Sequence, residues 1–107
     1  MPRWLPKLLG RVRELAAQRR VSFTLKAMRE LAELGSGFDL DDACDVLASL
    51  EEADFHARVD SERTGEWLYV FKPTVAEMLL YVKVAVRANC IVVSFHEEEG
   101  LEDDEGT

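Results

Sequence analysis

The chain lacks several features, and each shortage excludes a class of protein. It has two cysteines, Cys44 and Cys90, far apart and sharing no metal-like spacing with either histidine, His56 or His96. That argues against a disulfide scaffold or a cysteine–histidine zinc module and suits buried thiols in a cytoplasmic protein. No apolar run approaches the roughly 18–20 residues that cross a bilayer. The stretch Met1 to Gly10 is interrupted by Pro2 and Pro6, without the continuous apolar segment and small-residue cleavage site of a secretory signal. There is no glycine-rich phosphate loop, no Gly-x-Ser-x-Gly elbow and no His-Glu-x-x-His pattern. Nucleotide hydrolysis, serine chemistry and zinc chemistry are disfavoured accordingly. The expectation is a cytoplasmic protein with no metal, no cofactor and no membrane partner.

What is present suits one small globular domain: 107 residues, 48% hydrophobic and 32% charged. The net charge of −8 is unevenly spread. Glu97, Glu98, Glu99, Glu102, Asp103, Asp104 and Glu105 form a C-terminal block, without which the net charge is −1. Residues 1–35 carry eight lysines and arginines against three glutamates. A basic head is compatible with an RNA partner, and equally with helices that solvate themselves. The division expected is a domain over 1–96 and an acidic, disordered tail over 97–107.

Leu5, Leu8, Leu9, Val12, Leu15 and Ala16 recur at three- and four-residue steps, which predicts a helix over about Pro6 to Arg19. A second helix is predicted from Ala27 to Leu34 after a Ser22 or Thr24 cap, closed by Gly35 and Gly37. A third follows Asp39 or Asp41 and carries Leu40, Ala43, Cys44, Leu47 and Leu50. The period then changes to two. Phe55 to Asp60, Trp67 to Phe71, Leu79 to Arg87 and Cys90 to His96 read as strands, with Ser61–Glu66 as a loop and Ala88-Asn89 as a two-residue turn. Helices followed by strands predict an α+β fold, with the N-terminal helices on one face of a small antiparallel sheet.

Alternation then predicts where chemistry sits. With Val82, Val84, Val93 and Phe95 toward the helices, Tyr81, Lys83, Ser94 and His96 share the other face, with Lys72, Arg58 and His56 near its rim. A phenol, an imidazole and several cations can bind phosphate and move protons, which is what cutting RNA through its own 2′-hydroxyl requires. Each also has a plainer reading. His96 can be a strand-end imidazole paired with Glu97 or Glu98, Tyr81 can pack its ring along the sheet, and the lysines can be solvent-facing charges. Trp67, Tyr69 and Phe71 can stack bases or pack against helices.

Several segments, in order, resemble the MqsR toxin family. They are "AELGSGFDLDDACDVLASL", "EEADFHARV", "WLYVFKP", "LYVKVAV" and "IVVSFHE", spanning about Arg11 to Glu97. The resemblance implies a RelE-like fold and a metal-independent endoribonuclease that cuts messenger RNA. It also implies neutralisation by a cognate antitoxin, often a zinc-binding protein with a DNA-binding half. Of the residues the family uses, its tyrosine corresponds to Tyr81. A lysine corresponds to Ala57, with Arg58 beside it as a substitute; a glutamine corresponds to Leu68, and a second lysine to His96. The expected catalytic set is therefore Tyr81, His96 and Arg58, converging on one face, with Lys83, Lys72 and His56 binding RNA phosphates. The alternatives are a catalytically weakened relative that binds antitoxin or RNA without cutting, and an unrelated interaction domain whose acidic tail recruits a basic partner.

Overall fold

In the computed structural model of the protein, residues 2–35 and 37–98 are described. Helix α1 (Leu5–Ala17) has proline in its first turn, where a missing N–H removes no helical bond. It buries Leu5, Leu9, Val12, Leu15 and Ala16. It ends where Arg19 takes a left-handed φ of 61° and the Arg20 N–H returns to the Leu15 carbonyl at 2.8 Å, a closure that usually recruits glycine. The Arg19 guanidinium bridges to Asp41 and Asp45 at 3.0 and 2.9 Å, tying α1 to α3 (Leu40–Ala48). Helix α2 (Leu25–Glu33) is capped by Thr24, whose hydroxyl accepts the Ala27 N–H. Asp39 and Asp42 cap α3 reciprocally.

The strands are β1 (Val21–Phe23), β2 (Phe55–Asp60), β3 (Trp67–Phe71), β4 (Thr74–Val75), β5 (Met78–Val86) and β6 (Cys90–Glu97). Their order is β1-β6-β5-β3-β2, with β4 paired onto β5. The fold is α+β, as expected, but the sheet is mixed at one edge because β1 runs parallel to β6. Three residues are too few to display an alternation, so β1 reads in the sequence only as a gap between helices; β4, with two, is hidden for the same reason. The last hairpin also differs. Val86 pairs with Cys90, leaving Arg87, Ala88 and Asn89 in the loop, which the Arg87 N–H closes onto the Asn89 carbonyl at 2.9 Å.

Cross-strand rows fix the two faces. Phe71, Val82 and Phe95 form one row and Tyr69, Val84 and Val92 another, both toward the helices. Val70, Lys83 and Ser94 form a row on the opposite face, as do Tyr81 and His96. The expected inward Val93 is instead the extra residue of a bulge opposite Lys83 and Val84, and Val92 is the buried one. An added residue reverses the phase of the alternation, so Cys90 and Val92 before the bulge and Phe95 after it all enter the core.

Both cysteines are free and buried, and burial, with Cys44 nearby, pushes the Cys90 thiol up to about 12. Glu97 still belongs to β6, and the Glu98 N–H bonds the Leu79 carbonyl at 2.8 Å. The rest of the expected tail, from Glu99 onward, lies outside the described residues. No helix among the described residues is long and apolar enough to cross a membrane.

Candidate functional site on the open face of the sheet

The helices cover one face of the sheet, and the chemistry lies on the other. Adjacent antiparallel strands bring Tyr81 of β5 and His96 of β6 into register. Their rings stack with centroids 5.1 Å apart and planes 14° from parallel. The His96 Nδ1 lies 2.9 Å from the Glu97 carbonyl. A carbonyl oxygen only accepts, so Nδ1 carries the proton in this contact and Nε2 is the atom left to take or give one. Lys72, just past β3, holds its Nζ 5.9 Å from the Tyr81 ring centroid and 3.5 Å from a Glu98 carboxylate oxygen.

The neighbouring row runs Ala57, Val70, Lys83, Ser94 across four strands. Lys83 makes no ion pair among the described residues. Ser94 is buried, and its hydroxyl accepts a hydrogen bond from Lys26 Nζ at 2.9 Å. Lys26 comes from α2, which lies along β6 beyond the end of β1, where the strand edge would otherwise be open. Glu30 of the same helix accepts the Phe95 N–H at 2.9 Å and pairs with Lys26 at 2.8 Å. Burial works to raise the Glu30 carboxyl. The Lys26 hydrogen bond and charge, the Phe95 N–H and the His96 imidazole outweigh it and hold the group below its ordinary value.

Charge is therefore divided about His96. Lys83, which has no ion pair among the described residues, lies on the open face beside Lys26 and Lys72, themselves paired with Glu30 and Glu98, whereas a small cleft of about 150 Å³ at the sheet edge is lined by Glu30, Glu33 and Glu97 together with Leu34 and His96. An anion is drawn to Lys83 and repelled from the acidic cleft. A larger concavity, about 750 Å³, runs along α1 from Arg3 to Glu14 and shares no residue with the Tyr81–His96 row.

Of the expected site residues, Tyr81, His96, Lys83 and Lys72 come together. Arg58 does not. It pairs with Tyr69, on the helix-facing side, and its guanidinium lies between two indoles, 3.8 Å from the Trp67 ring centroid and 4.6 Å from that of Trp4. The convergence expected of Arg58 with Tyr81 and His96 fails because residues adjacent in a strand point to opposite faces. Trp4 also meets Phe55 and Tyr69, so those β2–β3 aromatics pack against α1. His56 is the extra residue of a bulge in β2, exposed and separated from β5 by β3. Lys26 and Glu30 are not recognisable from the sequence. They are helix residues 68 and 65 positions from their β6 partners, and nothing local signals the contact.

The family model described as "Motility quorum-sensing regulator, toxin of MqsA" matches residues 7–97. Among curated proteins, the mRNA interferase toxin MqsR of Escherichia coli (strain K12) is 32% identical over 92 residues, covering 84% of this chain and 91% of that protein.

Proposed function

The chain belongs to the MqsR toxin family, and on that footing we propose that it is the toxin of a toxin–antitoxin pair, an endoribonuclease that cuts messenger RNA through the strand's own 2′-hydroxyl. The observation that carries this reading is the Tyr81–His96 stack on the face of the sheet opposite the helices, with Lys83 in the next row of that face. The reaction needs a base to take the 2′-hydroxyl proton as that oxygen attacks phosphorus. It also needs an acid to protonate the departing 5′-oxygen, and positive charge at the crowded phosphate. The products are a 2′,3′-cyclic phosphate and a free 5′-hydroxyl. His96 Nε2, whose partner Nδ1 keeps its proton on the Glu97 carbonyl, takes the 2′-hydroxyl proton, and the Tyr81 hydroxyl orients the phosphate and gives its proton to the departing 5′-oxygen. Lys83 and Lys72 supply charge. Lys26 holds the Ser94 hydroxyl at the foot of the same row. These side chains meet the reaction's needs without a metal ion, and the reading includes a protein antitoxin as the second partner.

One observation favours a second reading. Ala57 and Leu68, where the family resemblance implies a lysine and a glutamine, lie on this same face and bring no polar group to it. A chain weakened in this way would bind its antitoxin or RNA without cutting. Expression in bacteria separates the two. The ribonuclease reading predicts growth arrest that Tyr81→Phe or His96→Ala relieves. Growth unaffected by the wild-type chain, together with a stable complex with a protein encoded beside it, would favour the weakened form.

A further inference from the structure

Beyond Lys83, the open face continues into a second concavity that the chemistry above does not use. It is a cleft of about 230 Å³ with Leu68, Ala85, Ile91 and Val93 on its floor and the β2–β3 loop along one side. The loop is closed on itself: the Ser61 N–H bonds the Glu66 carbonyl at 2.9 Å, and the Gly65 N–H bonds the Ser61 carbonyl at 2.8 Å. Glu66 grips the Arg87 guanidinium through both oxygens, at 3.1 Å from Nε and 2.5 Å from Nη2. The Thr64 hydroxyl donates to the same carboxylate at 3.2 Å. The guanidinium plane is thus held in one orientation at the wall of an apolar-floored slot.

We propose that this cleft is a nucleobase subsite, holding a base that flanks the nucleotide cut at Tyr81 and His96. The inference rests on the ribonuclease reading and extends it to sequence preference. Three features select a base over other ligands. The cleft is smaller than the roughly 300–1,000 Å³ of pockets for drug-sized molecules, which suits one planar ring. Glu66 already neutralises Arg87, so a phosphate gains little there. A flat guanidinium held by Glu66 beside aliphatic side chains instead offers a surface on which a splayed RNA base can stack. Glu66, Ser61 and Thr64 line the slot, and the lone pairs their loop hydrogen bonds leave free can accept from a base edge. Position fits as well. Ala85 lies two residues beyond Lys83 and four beyond Tyr81 on the same face, about 13 Å from Tyr81 at a strand rise of ~3.3 Å per residue. Lys83 lies between the two and can take the connecting phosphate. Arg63, a rim residue, makes no ion pair among the described residues and is available to the next one.

The test compares cleavage-site profiles on a randomised RNA pool for the wild type, Ala85→Leu, which fills the slot, and Arg87→Gln, which removes the stacking plane. Thermal melts establish that each variant is folded. The inference predicts that base preference at one flanking position falls about tenfold or more in both variants. It also predicts that a substrate abasic at that position is cut equally by all three proteins. If the wild type cuts and both folded variants keep its profile at every position, the subsite is refuted and the ribonuclease reading stands. If the folded wild type cuts nothing, the ribonuclease reading fails and the subsite with it.

Discussion

Single residues decide most of the chemistry, because a one-position shift in a strand moves a side chain through the sheet. Arg58 and Ala57 are neighbours in sequence, yet Ala57 lies in the row of Lys83 and Ser94 while Arg58 is wedged between Trp4 and Trp67. Cation–π contacts at exposed sites contribute about 0.5–1 kcal/mol each, so Arg58 supports the packing of α1 on the sheet. Backbone strain is also concentrated at single residues. Ala76 and Glu77, the two residues between β4 and β5, take φ of 52° and 68°, a left-handed pair that tight hairpins usually give to asparagine followed by glycine. The double substitution Ala76→Asn with Glu77→Gly should raise stability by about 1–2 kcal/mol, since each left-handed non-glycine residue costs roughly that much or less. The urea midpoint measures it, and an unchanged midpoint would mean the turn is not strained.

At the scale of elements, α2 closes an exposed edge. The β1 pairing stops at Val92, and Glu30 then supplies to the Phe95 N–H the acceptor that a longer strand would have provided. Glu30→Gln should cost about 1–2 kcal/mol near neutral pH, the range of a charge-assisted hydrogen bond that is partly exposed. The sign with pH follows from the lowered folded value. The contribution is complete above the ordinary 4.5 of an unfolded glutamate and is lost as pH falls through the lower folded value. The stability gap between wild type and variant should therefore narrow in acid; a gap that widens would contradict the ion pair. Elements of this kind also mark what the sequence can reveal. The three helices and four long strands are legible within a few residues, because each carries several apolar positions at one period. The short β1 and β4, the bulge at Val93 and the reach of Lys26 onto Ser94 are not. They depend on pairings between segments far apart in the chain.

For the molecule as a whole, folding divides the sheet into an apolar face that carries the helices and an open face that carries the phenol, the imidazole and the lysines. Tyr81, Lys83 and His96 are legible as a set, since alternation within β5 and β6 puts them on one side and the family resemblance selects Tyr81 and His96 as well, while Lys72 is placed by its position at the end of β3. Arg58 and His56 are misplaced by sequence reasoning for lack of the register and the β2 bulge, which alternation within one strand does not supply. If the proposed chemistry holds, the open face cuts RNA and the helix-facing side takes no part. The most direct measurement is cleavage of a mixed-sequence RNA in excess EDTA by the wild type, Tyr81→Phe, His96→Ala and Arg58→Ala. The wild type and Arg58→Ala should cut at similar rates, while loss of His96 or of the Tyr81 hydroxyl should slow cutting about a hundredfold or more. Equal cutting by all four proteins, or a loss confined to Arg58→Ala, would contradict that chemistry.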